Sequence, residues 1–221
     1  MNNSIDFSAA IFDLDGTLLY TLEEIATATN VVLSRMGYPE HPVNAYRHFV
    51  GSGAKTLARR VLPESAQNEE NLEKLYPALL KEYANHLNKI SQPYDGVMTM
   101  LAAFSAAGKK LAVLSNKPDE LTKEAVRTLL PDVAFLTVQG GLPDVPLKPE
   151  PESALAIAEK MELRPEQIIF VGDSDIDMKT ACNAGMIAVG ASWGFRGADE
   201  LKAAGANIVL DAPAELQTLL G

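Results

Sequence analysis

From Pro93 onward, short apolar runs and amphipathic runs take turns along the chain, and no other feature of the 221 residues limits the fold as tightly. The spacing predicts strands over residues 110–114, 134–138, 168–171, 187–189 and 208–210. Helices are predicted over 118–130, 152–161, 177–184 and, briefly, 199–204. Strands separated by helices in this way form a parallel sheet covered on both faces. One further apolar run, residues 9–12, precedes the alternation, and no strand pattern lies between Thr17 and Ser91. Instead Leu22, Ile25, Thr29, Val32, Leu33 and Met36 recur at helical intervals after the capping-box spacing Thr21-Leu22-Glu23-Glu24, with Gly37 placed to end the helix. Helices are also expected over 42–50, over 54–62 after the Gly51-Ser52-Gly53 break, and over 72–87, where Pro77 is either a kink or a first-turn proline. A long helical stretch directly after one strand reads as an insertion, not as a crossover. The predicted fold class is therefore α/β, a doubly wound, Rossmann-like parallel sheet formed by residues 1–17 and 93–221. A small helical domain, 18–92, is inserted after the first strand.

Bulk composition narrows the partners. A formal net charge of −10 argues against nucleic acid or an anionic membrane as a binding surface. A small anionic substrate would need local positive charge and a cation. The single cysteine, Cys182, allows no internal disulfide, which fits a reducing compartment. Residues 1–6 carry no basic region, and no apolar run reaches membrane-spanning length. The expectation is a soluble cytoplasmic protein, monomer or homodimer.

Polar groups cluster where strands end. The first run leads into Asp13-Leu14-Asp15-Gly16-Thr17, whose two carboxylates start on one face of a strand. Held together they repel, and a hard oxygen-liganded ion such as Mg²⁺ relieves that. Three other stretches belong to the same edge: Ser115-Asn116-Lys117-Pro118, Leu147-Lys148-Pro149 and Gly172-Asp173-Ser174-Asp175-Ile176-Asp177. In a parallel sheet these ends share one edge, where open α/β sheets bind ligands. Carboxylates for a metal, a lysine to balance charge and a hydroxyl to hold an oxygen are what phosphoryl transfer needs.

Asp13-x-Asp15-x-Thr17, Ser115, Lys148 and Gly172-Asp173-x-x-x-Asp177 together resemble the four ordered motifs of the haloacid-dehalogenase-like hydrolase superfamily. The helical insertion falls where that superfamily carries its small cap. A narrower resemblance, to phosphoglycolate phosphatases, rests on Phe49-Val50-Gly51-Ser52-Gly53-Ala54, Tyr94-Asp95-Gly96-Val97, Ser115-Asn116-Lys117-Pro118, Lys148-Pro149-x-Pro151 and Trp193-Gly194. The resemblance implies a Mg²⁺-dependent phosphomonoester hydrolase acting on a small anionic phosphate ester, 2-phosphoglycolate first. It implies Asp13 as the nucleophile that becomes an aspartyl-phosphate and Asp15 as the acid and later the base. Mg²⁺ would be held by Asp13, the backbone carbonyl of Asp15, and Asp173, with Asp177 behind them orienting water or Lys148. Ser115, Asn116 and Lys148 would border or bind the phosphate, and Thr17 would position the first loop. Backbone N–H groups at Gly51 and Gly53 would meet the substrate's carboxylate.

The same motifs also suit a sugar phosphate, a nucleotide or a β-phosphoglucomutase-like transfer. A dehalogenase has no use for Asp15 as a proton shuttle. A receiver-type signalling domain would lack the insertion and carry its acceptor aspartate elsewhere, and a catalytically silent protein would not need every motif residue. Tyr20 stands where many relatives carry an acidic residue, at the entry to the cap. Asp175 is read as solvent-facing, Arg47 and Lys55 as a solvated face near the glycine loop, and His41, His48 and His86 as surface or packing residues. Lys117-Pro118 either borders the phosphate site or starts a helix. Cys182 is read as a small buried side chain and Trp193 as packing at the core edge.

Overall fold

The computed structural model describes residues 5–220. Strand β1 (Ala9–Phe12) leads through a short strand β2 (Leu19–Tyr20) into helices α1 (Leu22–Arg35), α2 (Tyr46–Phe49), α3 (Ala54–Arg60) and α4 (Glu69–His86). A second short strand, β3 (Gln92–Pro93), brings the chain back. Then follow α5 (Val97–Ala106), β4 (Lys110–Pro118), α6 (Asp119–Leu129), β5 (Thr137–Gly141), α7 (Glu152–Lys160), β6 (Ile168–Gly172), α8 (Asp175–Ala184), β7 (Ile187–Ala191), α9 (Ala198–Ala203) and β8 (Ile208–Leu210). The main sheet is six-stranded and parallel, in the order β5-β4-β1-β6-β7-β8.

Alternation along the strands divides the core in two. Ala10 and Phe12 face α5, α6 and the C-terminal segment with Val113 and Val171, while Ala9 and Ile11 face α7 and α8 with Ala112 and Phe170. Both faces of β1 are buried, so the register Phe12↔Val113 and Phe12↔Val171 sets the level at which three strand ends open. The chain leaves β1 toward β4 and β5, then crosses to β6 on the other side. That reversal makes the carboxyl end of β1 the switch point of the sheet. The helices α1 to α4 bury a third cluster, including Leu22, Leu33, Tyr46, Leu72 and Leu75, which also receives Phe195 from the loop after β7.

Several expectations change. Residues 17–91 do contain a strand: Leu19–Tyr20 pairs antiparallel with Gln92–Pro93, a two-residue ribbon too short to leave a periodic signal. The capping box at Thr21 does not form. Thr21 makes no side-chain cap, and the buried Glu24 carboxylate turns away to accept the N–H groups of Asn88, Lys89, Ile90 and Ser91. Pro77 lies on the exposed face in the interior of α4, not in its first turn. β4 runs on through Ser115, Asn116 and Lys117, and β5 lies at 137–141 instead of 134–138. Gly140 explains the second shift. A Cβ there would stand 2.5 Å from Asp119 Cα and 2.6 Å from the Lys117 carbonyl oxygen, so only glycine lets β5 lie this close to the end of β4. α8 begins at Asp175, two residues early. Cys182 is exposed, because Met178, Ala181 and Ala184 take the inward stripe of α8 and leave it pointing outward.

Candidate active site

Past Phe12 the chain leaves the sheet, and Gly16, at φ +90°, turns it sharply. A Cβ on Gly16 would lie 2.3 Å from Asp173 Oδ2, so the turn after β1 and the carboxylate after β6 are packed against one another through bare backbone. Asp13, Asp173 and Asp177 each bring a carboxylate oxygen within 4.8 Å of the other two, and all three are buried. Lys148 enters from the loop between β5 and α7. Its Nζ lies 2.8 Å from Asp13 Oδ1 and 2.6 Å from Asp177 Oδ1. Asp177 Oδ2 accepts from the backbone N–H and the hydroxyl of Ser174, so that with Lys148 on Oδ1 both of its oxygens are held. Asp173 Oδ2 accepts the Phe195 N–H at 2.7 Å.

The electrostatics follow from three carboxylates sharing one ammonium. Burial, with help from Asp177 and Asp15, outweighs Lys148 and raises the Asp13 pKa to about 6. Burial, then Asp177 and Asp13, push the Asp173 carboxyl well above the ordinary range. Burial opposes the Lys148 charge, but the pull of Asp13 and Asp177 exceeds it and holds that pKa above its usual value. Asp13 Oδ1 is buried without an aligned hydrogen-bond donor, the Lys148 contact being off the hydrogen-bonding direction. An under-neutralised set of hard oxygen donors of this kind fits a divalent cation.

The remaining motif residues fall around this centre. Ser115 is buried at the end of β4 and lines the same cavity as Asp13, Asp15 and Asp173. Asn116 clasps the Lys148 loop: its Oδ1 accepts the Lys148 N–H, and its Nδ2 donates to the Lys148 carbonyl and to Gly51 of the helical segment. Asn116 therefore ties two loops together. Thr17 is buried, and its carbonyl accepts from Trp193 Nε1. Gly51 and Gly53 line the cavity from the helical side. Asp175 pairs with Lys179 on the outer face of α8. Lys55 is exposed and outside the cavity, whereas Arg47 lines it and donates to the carbonyls of Gly194 and Phe195. His41 packs on Tyr46 and Phe49, His86 sits by Glu82, and His48 Nδ1 meets Arg196. Tyr20 stacks edge-on against Tyr94 at the ribbon.

Sequence reasoning missed Tyr83, Phe195 and Arg196, and left Lys117 between the phosphate border and a helix start. Lys117 pairs with Asp15 at 2.9 Å and meets the Tyr83 hydroxyl of α4. Arg196 lines the cavity as Arg47 does, and Phe195 both holds Asp173 and enters the helical cluster. The only signal for Lys117 was its place beside Ser115. Tyr83 reads in the sequence as one more apolar position of a helix.

A carboxylate trio with one lysine, at the switch point of a doubly wound sheet, defines a site for phosphoryl chemistry assisted by a divalent metal. The family model described as haloacid dehalogenase-like hydrolase matches residues 10–191, and the chain belongs to that family. It is an enzyme, a phosphatase. Among curated relatives, a phosphoglycolate phosphatase of Pseudomonas putida is 30% identical over 213 residues, covering 95% of this chain and 77% of the relative. One from Mannheimia succiniciproducens is 34% identical over 190 residues, covering 83% and 85%. The crystal structure of a predicted phosphoglycolate phosphatase from Haemophilus somnus superposes with a TM-score of 0.91 at 28% identity, covering 98% of this chain and 99% of that one. Among the described residues no helix is long and apolar enough to cross a membrane.

Proposed function

We propose that the chain is a Mg²⁺-dependent phosphomonoesterase that hydrolyses 2-phosphoglycolate to glycolate and phosphate. The observation that carries this reading is the buried set Asp13, Asp173 and Asp177 around Lys148. Asp13 and Asp173, with the backbone carbonyl of Asp15, would hold Mg²⁺, which when bound neutralises charge on the phosphoryl oxygens and the attacking carboxylate. Asp13 attacks phosphorus, the bond from phosphorus to the alkoxide oxygen breaks, and Asp15, in its acid form once substrate is bound, gives that oxygen its proton. Water then attacks the aspartyl-phosphate, Asp15 takes the water's proton, and phosphate leaves with Asp13 restored. Ser115 and Lys148 bind phosphoryl oxygens, and Asp177, saturated by Lys148 and Ser174, keeps the ammonium aimed. Thr17 shapes the first loop, and Asn116 fixes the Lys148 loop from behind. Residues 18–92 act as a cap over this edge of the core.

The cavity's volume and lining support a small substrate with an anionic tail. The cavity volume of about 70 Å³, on the scale of a few waters, supports a small ester. Arg47 and Arg196 line it together with Gly51 and Gly53, donors suited to a carboxylate on the leaving group. The test is phosphate release with Mg²⁺ across small phosphate esters. A kcat/KM for 2-phosphoglycolate roughly a hundredfold above sugar phosphates and nucleotides, about 2.7 kcal/mol of discrimination, is the expected result. Equal values across the panel would keep the chemistry and discard the substrate.

A further inference from the structure

Lys117 takes no part in the reaction just described, yet it is one of the most constrained side chains at the site. Its side chain is 3% exposed, and Nζ meets Asp15 Oδ1 at 2.9 Å. The same ammonium donates to the Tyr83 hydroxyl and lies 4.7 Å from the centre of that ring. A buried ammonium is stable only when paired, and among the described residues Asp15 is its one carboxylate partner. The dependence runs both ways. Asp15 sits in the loop after β1, and no other side-chain hydrogen bond or ion pair holds its carboxylate among the described residues. Without Lys117 that carboxylate is free to rotate toward water. Tyr83 belongs to α4, whereas Asp15 and Lys117 belong to the two neighbouring strand ends of the core.

We propose that Lys117 is the positioning residue for Asp15, and that Tyr83 makes this positioning depend on α4 being seated over the core. The proposal rests on the reading of Asp15 as proton donor given above. An ammonium carries three donors. One directed at Asp15 and one at Tyr83 fix the lysine between core and helix, and the carboxylate inherits that fix. When α4 lifts, the hydroxyl leaves, Lys117 loses one of its two anchors, and the proton donor is no longer held against the leaving oxygen. A misplacement near 1 Å is enough to cost about 10²-fold in a positioned reaction.

The alternative is that Lys117 only holds the fold together or only attracts the anionic substrate. Leaving-group dependence separates these roles. An alkoxide needs a proton as it departs, whereas p-nitrophenolate does not. The measurement is leaving-group release in the first turnover, with enzyme in excess and Mg²⁺ saturating. It compares 2-phosphoglycolate and ethyl phosphate with p-nitrophenyl phosphate, and Asp15→Asn sets the pattern of a lost proton donor. Lys117→Met is expected to slow the two alkyl esters about a hundredfold and the nitrophenyl ester no more than about threefold. Tyr83→Phe, which keeps the ring and its packing, is expected to slow the alkyl esters about fivefold, the value of one hydrogen bond, and to leave the nitrophenyl ester unchanged. Lys117→Arg should recover part of the loss. Lys117→Met added to Asp15→Asn should cost nothing further, because two residues acting through one group do not add.

Tyr83→Phe decides the matter if Lys117→Met does not fold. Losses that are equal for the three esters, or absent from the alkyl esters, overturn the proposal. If Asp15→Asn discriminates between leaving groups while the Lys117 and Tyr83 variants do not, this proposal fails alone. If Asp15→Asn shows no discrimination, or the unaltered enzyme turns over neither alkyl ester, the proposed function fails first and takes this inference with it.

Discussion

At Asp13 two demands on one side chain meet. In the proposed role of nucleophile it must be ionised, yet burial and the neighbouring carboxylates raise its pKa to about 6 against Lys148. The sign of the consequence is fixed. Between about pH 4 and 6 the folded chain keeps a proton that the unfolded chain has lost, so without metal the stability contributed by this group falls as pH rises through that window. The nucleophile needs the opposite state, so kcat/KM at limiting metal should fall below about pH 6. Saturating Mg²⁺ favours the carboxylate and should move that acid limb to lower pH. An acid limb that stays in place as metal is raised would exclude Asp13 as its source. Asp13→Asn should lower turnover by more than about 10³-fold while the metal-free protein melts no lower than the unaltered one, since a repelling charge is gone. Asp13, Asp15 and Asp173 were legible in the sequence because they follow apolar runs at the ends of β1 and β6, whereas Asp177, on α8, and Lys148, in a loop, were legible through their place in the ordered motifs. Lys117 was half legible. Its partner Tyr83 is 34 residues away and in another layer, and no local pattern announces an ion pair closed by such a contact.

Among the elements, the ribbon of β2 and β3 and the return segment behind it decide how the helical layer is attached. Among the described residues Glu24 is buried without a cation and gathers four consecutive N–H groups of residues 88–91. Glu24→Ala leaves those donors unsatisfied in a space closed to water, and it should lower stability by about 2–4 kcal/mol. Hydrogen exchange gives the sharper test. The amides of 88–91 should lose protection while those of β1 and β6 keep theirs, and uniform loss across the chain would mean that Glu24 supports the whole fold instead. The strand–helix alternation after Pro93 was readable in its main course, because a parallel sheet buried on both faces leaves apolar runs that no surface requirement interrupts, though α5 at Val97–Ala106 was not foreseen. Where the reading slipped, glycine or a polar stretch hid a strand. The strand expected over 134–138 left out Gly140 and Gly141, the second of which pairs with Pro118 of β4, and the strand expected over 110–114 stopped short of Ser115 to Lys117, which continue it. The Thr21 box failed for the opposite reason: a strong local pattern was outbid by a distant set of donors.

For the molecule as a whole, the site lies between two layers that touch through chemistry-bearing residues. Asn116 reaches Gly51, Lys117 reaches Tyr83, and Arg47 reaches the carbonyls of the loop that holds Asp173. A cation bound among Asp13 and Asp173 removes the repulsion at the centre of the sheet, where β1 and β6 are hydrogen-bonded neighbours. Its binding energy therefore becomes folding energy. At a Mg²⁺ concentration a hundredfold above its dissociation constant the gain is about 2.7 kcal/mol, which for a chain of this length raises Tm by about 5–10 °C. The rise should be larger at pH 7.5 than at pH 5, because protons at Asp13 and Asp173 compete with the metal in acid. Asp173→Asn should abolish most of the rise while leaving the metal-free Tm equal or higher, since it removes a ligand and a repelling charge together. Calorimetry with and without Mg²⁺ measures both quantities on one sample. A metal-dependent rise that survives in Asp173→Asn would place the cation elsewhere, and the assignment of this carboxylate edge as the metal centre would fall with it.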